Sequence, residues 1–534
     1  MLKKIVTIAL ILSTYSSFSQ SLSTNQKEKL LLNNQKFSNF LYYLVNGYIE
    51  EEDPDKITED AITAVLEKLD PHSSYITKEE MKSVNDSFDG NFEGIGIEFN
   101  VLKDTLIVVN TVKGGPSEQV GLKSGDRIVK VDGESVIGIK QLEVPKILRG
   151  TKGTSVVLDV FRQSEADTLT FHIIRDKIPI VSLDAAYMID DSIAYVKLNR
   201  FMATTTDEYK EAMAKMPNAS ALILDLRGNT GGYLDQAISL SDQFLSSNEL
   251  IVYTEGRAIP RRNSFATNLG NFKDKRLIVL VDEESASASE IVAGAIQDHD
   301  RGIVIGRPSF GKGLVQQQIQ LPDSSAIRLT IARYYTPSGR AIQRPYTMGD
   351  KEQYYADYYK RYTSGELVNK DSLHNAMPDS LKSKTLKLGR TVYGGGGITP
   401  DIYVGMDTTR FSKSWSAIIR SGVITNYVID YVDKTRKSLL KKYPNFEDFE
   451  ANYDISEEFI DDLIELAREK DAVIDRDDFF ASNLENAKLQ LKGIIAQKLW
   501  DYTEMYKILN SDDEVLTKAI EVLSEPENVY LKPE

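Results

Sequence analysis

The spacing of apolar residues divides the chain into stretches with different periods. Between residues 25 and 88 the apolar residues recur mainly at steps of three and four, which predicts a helical region. Residues 89–177 carry short alternating runs separated by glycine, proline and aspartate, which predicts a small β-rich domain. Residues 178–411 alternate strand-like runs with helical periods, which indicates an α/β core, and residues 412–534 are amphipathic helix almost throughout.

Several elements of the core can be placed more closely. Apolar runs typical of buried strands occur at 193–198, 221–226, 276–281 and 303–305. We predict a helix that Thr206 caps, a second helix from about 233 to 245, and a last strand at 398–404. Residues 344–390 are polar and tyrosine-rich with no clear period, so we interpret them as an insertion.

The composition narrows the function classes. A length of 534 residues exceeds what one compact core accommodates, so several domains are expected. The formal net charge of -15 argues against nucleic-acid binding, because phosphate recognition needs a basic surface. Cysteine is absent from the sequence, which excludes disulfides, thiolate nucleophiles and zinc–cysteine sites. The histidines are His72, His172, His299 and His374.

Residues 1–19 have the pattern of a signal peptide. Two lysines precede an apolar run at 5–12, and Ser17 and Ser19 are the small residues that a cleavage site needs. The apolar run is short for a bilayer span, and an uncleaved membrane anchor is the alternative. No cysteine follows the run, which excludes lipid attachment there. We therefore expect an exported protein that is soluble in the periplasm or associated with the cell envelope.

Ser287 is the first candidate for chemistry. It lies between the predicted strand at 276–281 and a segment with the apolar period of a helix. A serine at such a turn can direct its hydroxyl into a cleft, and the N–H of Ala288 can donate to an oxyanion. Ser287-x-x-Glu290 is also the pattern of an ordinary helix-capping box, and this segment alone favours the cap.

Lys312 is the candidate base. A serine hydroxyl needs a base to remove its proton, and no histidine stands in a context that marks it for this task. Lysine can do the same work when burial lowers its pKa. Lys312 lies between two glycines, ahead of a predicted strand on which Gln316 would share its face and could hold the amine. The alternative is a solvated loop lysine.

A glycine-rich loop follows a predicted strand at residues 225–232. Gly228, Gly231 and Gly232 lie directly before a predicted helix, where backbone N–H groups can form a nest for an oxyanion or a substrate carbonyl. A tight strand-to-helix turn explains the same glycines equally well.

Taken together, these segments resemble the C-terminal processing peptidases, also called tail-specific proteases. The motifs are Asp-Leu-Arg-x-Asn-x-Gly-Gly at 225–232, Ser-Ala-Ser-Ala-Ser-Glu at 285–290 and Gly-Lys-Gly-x-x-Gln at 311–316. Further matches lie at 69–73, 333–337 and 394–401, so the resemblance covers most of residues 30–405. It implies a multidomain α/β fold, in which a crotonase-like protease core carries an inserted PDZ domain between N-terminal and C-terminal helical regions.

The resemblance also implies roles for individual residues. Ser287 corresponds to the nucleophile, Lys312 to the general base, and Gln316 to a residue that supports the lysine. The expected oxyanion donors are the N–H of Ala288 and those of the glycine loop, Gly231 with Gly228. The chemistry needs neither a metal nor another cofactor.

The β-rich domain at 89–177 fits the implied PDZ domain. Gly94, Ile95, Gly96 and Ile97 match the loop whose backbone N–H groups capture a peptide's C-terminal carboxylate. The implied function is an exported serine endopeptidase that recognises protein C-termini and cleaves the tail through an acyl-enzyme. The terminal helical regions suit a homo-oligomer or an accessory protein.

Two other functions remain open on the sequence. The chain could be an inactive adaptor that binds peptides through its PDZ domain, or a hydrolase that depends on a histidine such as His299.

Overall fold

The computed structural model describes residues 23–532, apart from residues 103, 113, 163, 164, 166, 370–378, 411, 527 and 528. The predicted signal peptide at 1–19 and His374 therefore lie outside the described residues. Within the described ranges, no helix is both long enough and apolar enough to cross a membrane.

The N-terminal region is mainly helical, as its period predicts. Its elements are α1 (Thr24–Gly47), α2 (Pro54–Leu66), β1 (Ser74–Ile76) and α3 (Lys78–Asp89). Helix α1 has no buried residue, and its large apolar side chains are exposed. Strand β1 has no counterpart in the prediction, because its hydrogen-bonding partner lies about 250 positions later, with Ser74 opposite Arg328.

The β-rich domain is a separate sheet with its own core. Its elements are β2 (Asn91–Gly94), β3 (Ile97–Leu102), β4 (Thr105–Thr111), α4 (Pro116–Gln119), β5 (Arg127–Val131), β6 (Glu134–Ser135), α5 (Val144–Leu148), β7 (Ser155–Phe161), β8 (Leu169–Ile174) and β9 (Asp176–Pro179). The sheet order is β3-β4-β5-β7-β8, so β3 is an edge strand. Strands β2 and β9 pair with each other where the chain enters and leaves the domain, which is the arrangement of an inserted domain.

The α/β core and its insertion follow in chain order. The elements are β10 (Leu183–Met188), β11 (Ile193–Leu198), α6 (Thr205–Ala214), β12 (Ala221–Asp225), α7 (Leu234–Ser241), β13 (Leu250–Glu255), β14 (Arg262–Phe265), β15 (Arg276–Val281), α8 (Ala288–Asp298), β16 (Ile303–Gly306), β17 (Leu314–Gln320), β18 (Ala326–Tyr335), α9 (Lys351–Thr363), β19 (Lys382–Lys384), β20 (Thr391–Tyr393) and β21 (Ile402–Tyr403).

Two sheets make up this core. The first has the order β10-β11-β12-β15-β16-β21, with β10 antiparallel to its neighbour and the other pairs parallel. Alternate residues of its central strands face α6, α7 and α8 on one side and the C-terminal helix of the chain on the other, so these strands are apolar throughout. The second sheet is antiparallel and has the order β1-β18-β13-β14, with β17 also paired to β18.

Three predictions in the core need correction. The cap of α6 is Thr204, and Thr206 lies inside the helix. The predicted strand at 398–404 is reduced to the two residues of β21. The insertion contains helix α9, which was not predicted because the segment is polar. The buried residues of this helix, Tyr354, Tyr358 and Arg361, recur at helical spacing, so a helix could have been predicted from the sequence.

The C-terminal region is helical, as predicted. Its helices are α10 (Lys413–Ser421), α11 (Val423–Lys442), α12 (Phe446–Asn452), α13 (Glu457–Arg468), α14 (Arg476–Ser482), α15 (Leu484–Leu499), α16 (Tyr502–Asn510) and α17 (Glu514–Ser524). Helices α10 to α15 share one apolar core, whereas α17 packs its apolar face on the parallel sheet.

The C-terminal region also contacts the β-rich domain through ion pairs. Asp433 of α11 pairs with Arg127 at 2.9 Å, and Lys498 of α15 pairs with Glu98 of β3 at 3.0 Å. The C-terminal region therefore contacts both the edge strand of the inserted domain and the parallel sheet of the core.

Candidate active site

Ser287 lies in a sharp turn between strand β15 and helix α8. Its φ is +55°, a left-handed conformation that is costly for a residue with a side chain and that recurs at strand-to-helix nucleophile turns. The turn is tied to the glycine loop, because the N–H of Ala286 and the hydroxyl of Ser289 both donate to the Asn229 carbonyl, at 3.0 and 2.8 Å. These bonds fix the turn despite its strain.

Gly231 approaches the Ser287 turn so closely that only glycine fits. A Cβ atom added at Gly231 would lie 2.7 Å from Ser287 Cβ and 2.9 Å from the Ala288 nitrogen, and φ is +96°. In this structure the Gly231 N–H donates to Asn229 Oδ1 at 2.9 Å. The loop therefore reaches the predicted oxyanion position, but this N–H group is already hydrogen-bonded.

Gly228 does not have the position that the sequence suggested. Its N–H donates to Asp282 Oδ1 at 2.9 Å, and the nearest atom to an added Cβ would be Glu284 Oε2 at 3.8 Å. The glycine serves the strand-to-helix turn, with φ of +70°, and the structure does not present its N–H as an oxyanion donor.

Glu290 connects the Ser287 turn to the Lys312 loop. Its fully buried carboxylate accepts hydrogen bonds from the N–H of Ser287 at 2.8 Å and the N–H of Lys312 at 2.9 Å. It also accepts from Ser309 Oγ at 2.6 Å and the N–H of Gly311 at 2.7 Å. Burial raises the pKa of Glu290 to about 7, against the opposing effect of these four donors. Glu290 thus belongs both to the predicted capping box of α8 and to the site.

Tyr334 makes a second connection between the same two segments. Its hydroxyl lies within hydrogen-bonding reach of the Ser287 carbonyl, at 3.1 Å, and of the Lys312 carbonyl. The side chain is buried on β18, and burial raises its pKa well above the usual range, so it remains a protonated donor. These contacts give a structural role to Tyr334 of the 333–337 motif, for which the sequence alone indicated none.

Lys312 is half-buried in the loop before β17. Burial lowers the pKa of its amine, and the nearby charge of Arg328 lowers it further, whereas Glu290 and Asp70 act in the opposite direction. A lysine in such surroundings is closer to the neutral form that removes a proton than a solvated lysine is.

Gln316 is the third residue of β17. Lys312 precedes the strand, and the pairing register of β17 with β18 shifts between Val315 and Gln316. The Gln316 amide donates to the Leu314 carbonyl and to Thr330 Oγ1, each at 3.3 Å. The side chain is therefore held by the β17–β18 hairpin.

Asp225 and Arg227 of the glycine-loop motif have structural partners. Asp225 is fully buried and accepts from Tyr195 Oη at 2.7 Å and from Arg227 Nη2 at 2.6 Å. Burial alone would raise the pKa of Asp225, but Arg227 and Lys197 hold it below its usual range. Arg227 also pairs with Asp513, just before α17, at 2.8 Å. The loop is therefore anchored to the C-terminal region.

The described histidines differ in their relation to the site. His299 is the C-cap of α8, and its Nε2 lies 2.7 Å from the Leu250 carbonyl. His172 lies on β8 of the inserted domain. His72 is near Lys312, and burial followed by the Lys312 charge lowers its pKa to about 3, so it is neutral. No group of three or more side chains suited to a metal ion occurs in the described part of the chain.

The predicted carboxylate loop joins β2 to β3. Gly94 ends β2, Ile97 begins β3, and Gly96 has φ of +74°. The Ile95 carbonyl accepts from the N–H and the hydroxyl of Ser117, at 3.1 and 2.7 Å. The loop thus lies at the start of the edge strand, where an added peptide strand would end.

Comparisons with known proteins agree with this architecture. The family model for peptidase family S41 matches residues 192–352, the model for the PDZ domain matches residues 94–173, and a family of unknown function, DUF8443, matches residues 415–501.

Relatives match over longer stretches. A carboxy-terminal-processing protease of Bartonella bacilliformis is 39% identical over 331 residues, which cover 61% of this chain and 76% of the relative. A probable CtpA-like serine protease of Staphylococcus aureus is 32% identical over 395 residues, which cover 73% of this chain and 78% of the relative. Among solved structures, the photosystem II D1 C-terminal processing protease is 24% identical with a TM-score of 0.35, covering 69% of this chain and 86% of that one.

Proposed function

Since the chain belongs to the carboxy-terminal-processing proteases of peptidase family S41 and is a serine-type peptidase, we propose that it cleaves protein tails with Ser287 as nucleophile and Lys312 as general base. The observation that carries the proposal is the Glu290 carboxylate, which accepts the backbone N–H groups of both residues. The lowered pKa of Lys312, caused chiefly by burial, supports its role as the base.

The proposed reaction proceeds through an acyl-enzyme. Neutral Lys312 takes the Ser287 Oγ proton as the oxygen attacks the scissile carbonyl carbon. When the tetrahedral intermediate collapses, the C–N bond breaks and Lys312 gives the proton to the leaving amine. Lys312 then removes a proton from water as the water oxygen attacks the ester carbon. The bond between that carbon and Ser287 Oγ breaks, Lys312 returns the proton to Ser287 Oγ, and the product leaves with a new carboxylate. Donors for the oxyanion are the Ala288 N–H and, once it exchanges Asn229 for the substrate oxygen, the Gly231 N–H.

The PDZ domain selects the substrate in this proposal. A peptide C-terminus adds as a strand beside β3, and its carboxylate is held by the backbone N–H groups of Ile95 and Gly96. Gly94 and Ile97 set the ends of that loop. Substrates are therefore proteins with an accessible, unstructured C-terminal tail.

The experiment uses a folded substrate protein with an unstructured tail and mass spectrometry of the products. We expect Ser287→Ala and Lys312→Ala each to lower kcat/KM by about 10⁴-fold or more, because the two groups act as a unit. His299→Ala is the control and retains turnover.

Two outcomes would overturn the proposal. If the wild-type protein binds the tail but leaves it intact, the chain is an adaptor. If His299→Ala stops cleavage while Lys312→Ala does not, the base is a histidine.

The proposed location is outside the cytoplasm. Residues 1–19 carry the signal-peptide pattern, which supports export to the periplasm or cell envelope. Cell fractionation with N-terminal sequencing tests it; a cytoplasmic protein that retains residues 1–19 would contradict export.

Helix α1 supports a homo-oligomer as a further part of the proposal. Leu31 and Tyr43 are 69% and 72% exposed, and a helix with this many exposed apolar side chains needs a covering surface. Light scattering of the mature protein tests it; the mass of a single chain would contradict the homo-oligomer and favour an accessory protein.

A further inference from the structure

The turn formed by Asp70, Pro71, His72 and Ser73 has no role in the proposed reaction, although its sequence stood out. It lies between α2 and β1, more than 200 positions before Ser287 in the chain. Because β1 pairs antiparallel with β18, the turn is placed on the β17–β18 hairpin that carries Gln316. The N-terminal region therefore contributes to the surroundings of the base.

Asp70 organises this turn. Its Oδ1 accepts from the N–H groups of His72 and Ser73, at 3.0 and 3.1 Å, and its Oδ2 accepts from Ser73 Oγ at 2.6 Å. Ser73 Oγ in turn accepts from the Thr330 N–H of β18 at 3.1 Å. The turn is thus closed by Asp70 and fixed to the hairpin.

Asp70 also ends a hydrogen-bond chain that begins at Gln316. The Gln316 amide donates to Thr330 Oγ1 at 3.3 Å, and Thr330 Oγ1 donates to Asp70 Oδ1 at 2.8 Å. Gln316 and Thr330 are opposite each other in the register of β17 and β18. An ionised carboxylate only accepts hydrogen bonds, so the Thr330 hydroxyl donates its hydrogen to Asp70. A lone pair of Thr330 Oγ1 is then available to accept from the Gln316 amide.

Asp70 also acts electrostatically on Lys312. Asp70 and Glu290 raise the pKa of Lys312, whereas burial and Arg328 lower it. Burial opposes ionisation of Asp70, but hydrogen bonds from Ser73, Thr330 and the His72 N–H outweigh it and lower the pKa of Asp70.

His72 is another titratable group near Lys312. It faces Lys312, Arg344 and Lys351 and is neutral because its pKa is lowered to about 3, first by burial. Its Nε2 lies 3.3 Å from the hydroxyl of Tyr354 on α9. Asp70 and Glu290 are the carboxyl groups near Lys312, and of these two only Asp70 has a lowered pKa.

We propose that Asp70 is a positioning residue for catalysis, which orients Gln316 through Thr330 and supplies a negative charge beside Lys312. This inference rests on the proposed function, because it assumes that Lys312 is the base.

The test is the pH dependence of kcat/KM for Asp70→Asn, with Asp323→Asn as a matched control. Asp323 closes a similar turn at the tip of the same hairpin, accepting from the N–H and the hydroxyl of Ser325 at 3.1 and 2.6 Å. Removal of the Asp70 charge lowers the pKa of Lys312, so the neutral amine forms at lower pH. We expect the acidic limb of the profile to move to lower pH and kcat to fall about tenfold. Asp323→Asn should leave both unchanged.

A second variant separates the hydrogen bond from the charge. Thr330→Val keeps the shape of the side chain and interrupts the chain to Gln316, so we expect a lower kcat with an unchanged KM and an acidic limb at the wild-type pH. It also tests the proposal if Asp70→Asn does not fold.

The outcomes are distinguishable from failure of the proposed function. An Asp70→Asn profile that coincides with the wild-type profile, or wild-type kcat in Thr330→Val, overturns the positioning role while Lys312→Ala is still inactive. Cleavage by Lys312→Ala overturns the proposed function itself.

Discussion

Ser287 and Lys312 are held by two differently built parts of the molecule. The serine turn joins a strand of the buried parallel sheet to α8, a helix in which every residue is buried. The lysine loop joins β16 to β17, and β17 belongs to an antiparallel sheet and is half exposed along its length. The proposed nucleophile therefore depends on the core of the fold, whereas the proposed base depends on packing from elements that are remote in sequence.

The support of the lysine side comes from outside the core. The turn at 70–73 reaches it through Thr330. Gln343, directly before the insertion, also contacts the lysine loop, because its Oε1 accepts from the Gly313 N–H at 2.8 Å. Gln343 and His72 both lie near the Tyr354 hydroxyl of α9, at 3.4 and 3.3 Å. We therefore expect substitutions around Lys312 to alter catalysis, and substitutions around Ser287 to alter both catalysis and stability.

Of three variants that leave Ser287 and Lys312 unchanged, Glu290→Gln should have the largest effect, because Glu290 accepts hydrogen bonds from both segments. A glutamine offers one acceptor oxygen and turns an NH₂ group towards donors, which leaves buried N–H groups unpaired at a cost of about 1–3 kcal/mol each. We expect kcat/KM to fall about 100-fold or more. Peptide cleavage assays and thermal melts measure it, with the exposed Glu284→Gln as the control.

The stability difference between the wild type and Glu290→Gln should depend on pH, because the wild type carries the titrating carboxyl group. The pKa of Glu290 is raised from 4.5 in the unfolded chain to about 7, so the folded state binds a proton more firmly between these values. The stabilising contribution is present at low pH and lost as pH rises through about 7. The difference in Tm between wild type and Glu290→Gln should be larger at pH 5 than at pH 8, and a difference that grows with pH would contradict this linkage.

Gly231→Ala tests the serine side alone. The new methyl group would meet Ser287 Cβ and the Ala286 carbonyl at 2.7 Å, in addition to the cost of a positive φ. We expect kcat/KM to fall about 10- to 100-fold, since a small displacement of a nucleophile has effects of this size. Gly228→Ala is the matched control, because its φ is also positive but its added methyl meets only Glu284. Equal loss of activity in both variants would assign the effect to backbone strain.

Tyr334→Phe should have the smallest effect of the three. It removes one hydroxyl that reaches the carbonyls of Ser287 and Lys312, and a single such bond contributes about 1 kcal/mol. The expected decrease in kcat is therefore about three- to tenfold, with little change in Tm. The neighbouring Tyr335→Phe keeps its stacking on Tyr253 and should behave as wild type. A larger decrease in activity than that of Gly231→Ala would contradict this order, because the Tyr334 hydroxyl would then contribute more than the close packing at the Ser287 turn.

Much of the architecture could be predicted because it is encoded in local patterns. The apolar runs at 193–198 and 276–281 are β11 and β15, and the period after residue 412 is a series of helices. These patterns are local consequences of burial on one or both faces of an element. The motifs at 225–232, 285–290 and 311–316 likewise identified the family.

The apolar periods of the sequence predict most of the elements and the order of the regions, and its motifs identify the family. Only the tertiary structure decided which groups meet. The pairing of β1 with β18, the Glu290 carboxylate between two loops and the donation of the Gly231 N–H to Asn229 involve partners set by folding rather than by a period. The register shift between Val315 and Gln316 places Gln316 opposite Thr330, a pairing that the apolar pattern of β17 does not predict. Hydrogen bonds between distant segments leave no periodic signal in the sequence. For that reason the contacts of the segments around Lys312 could not be predicted from the sequence.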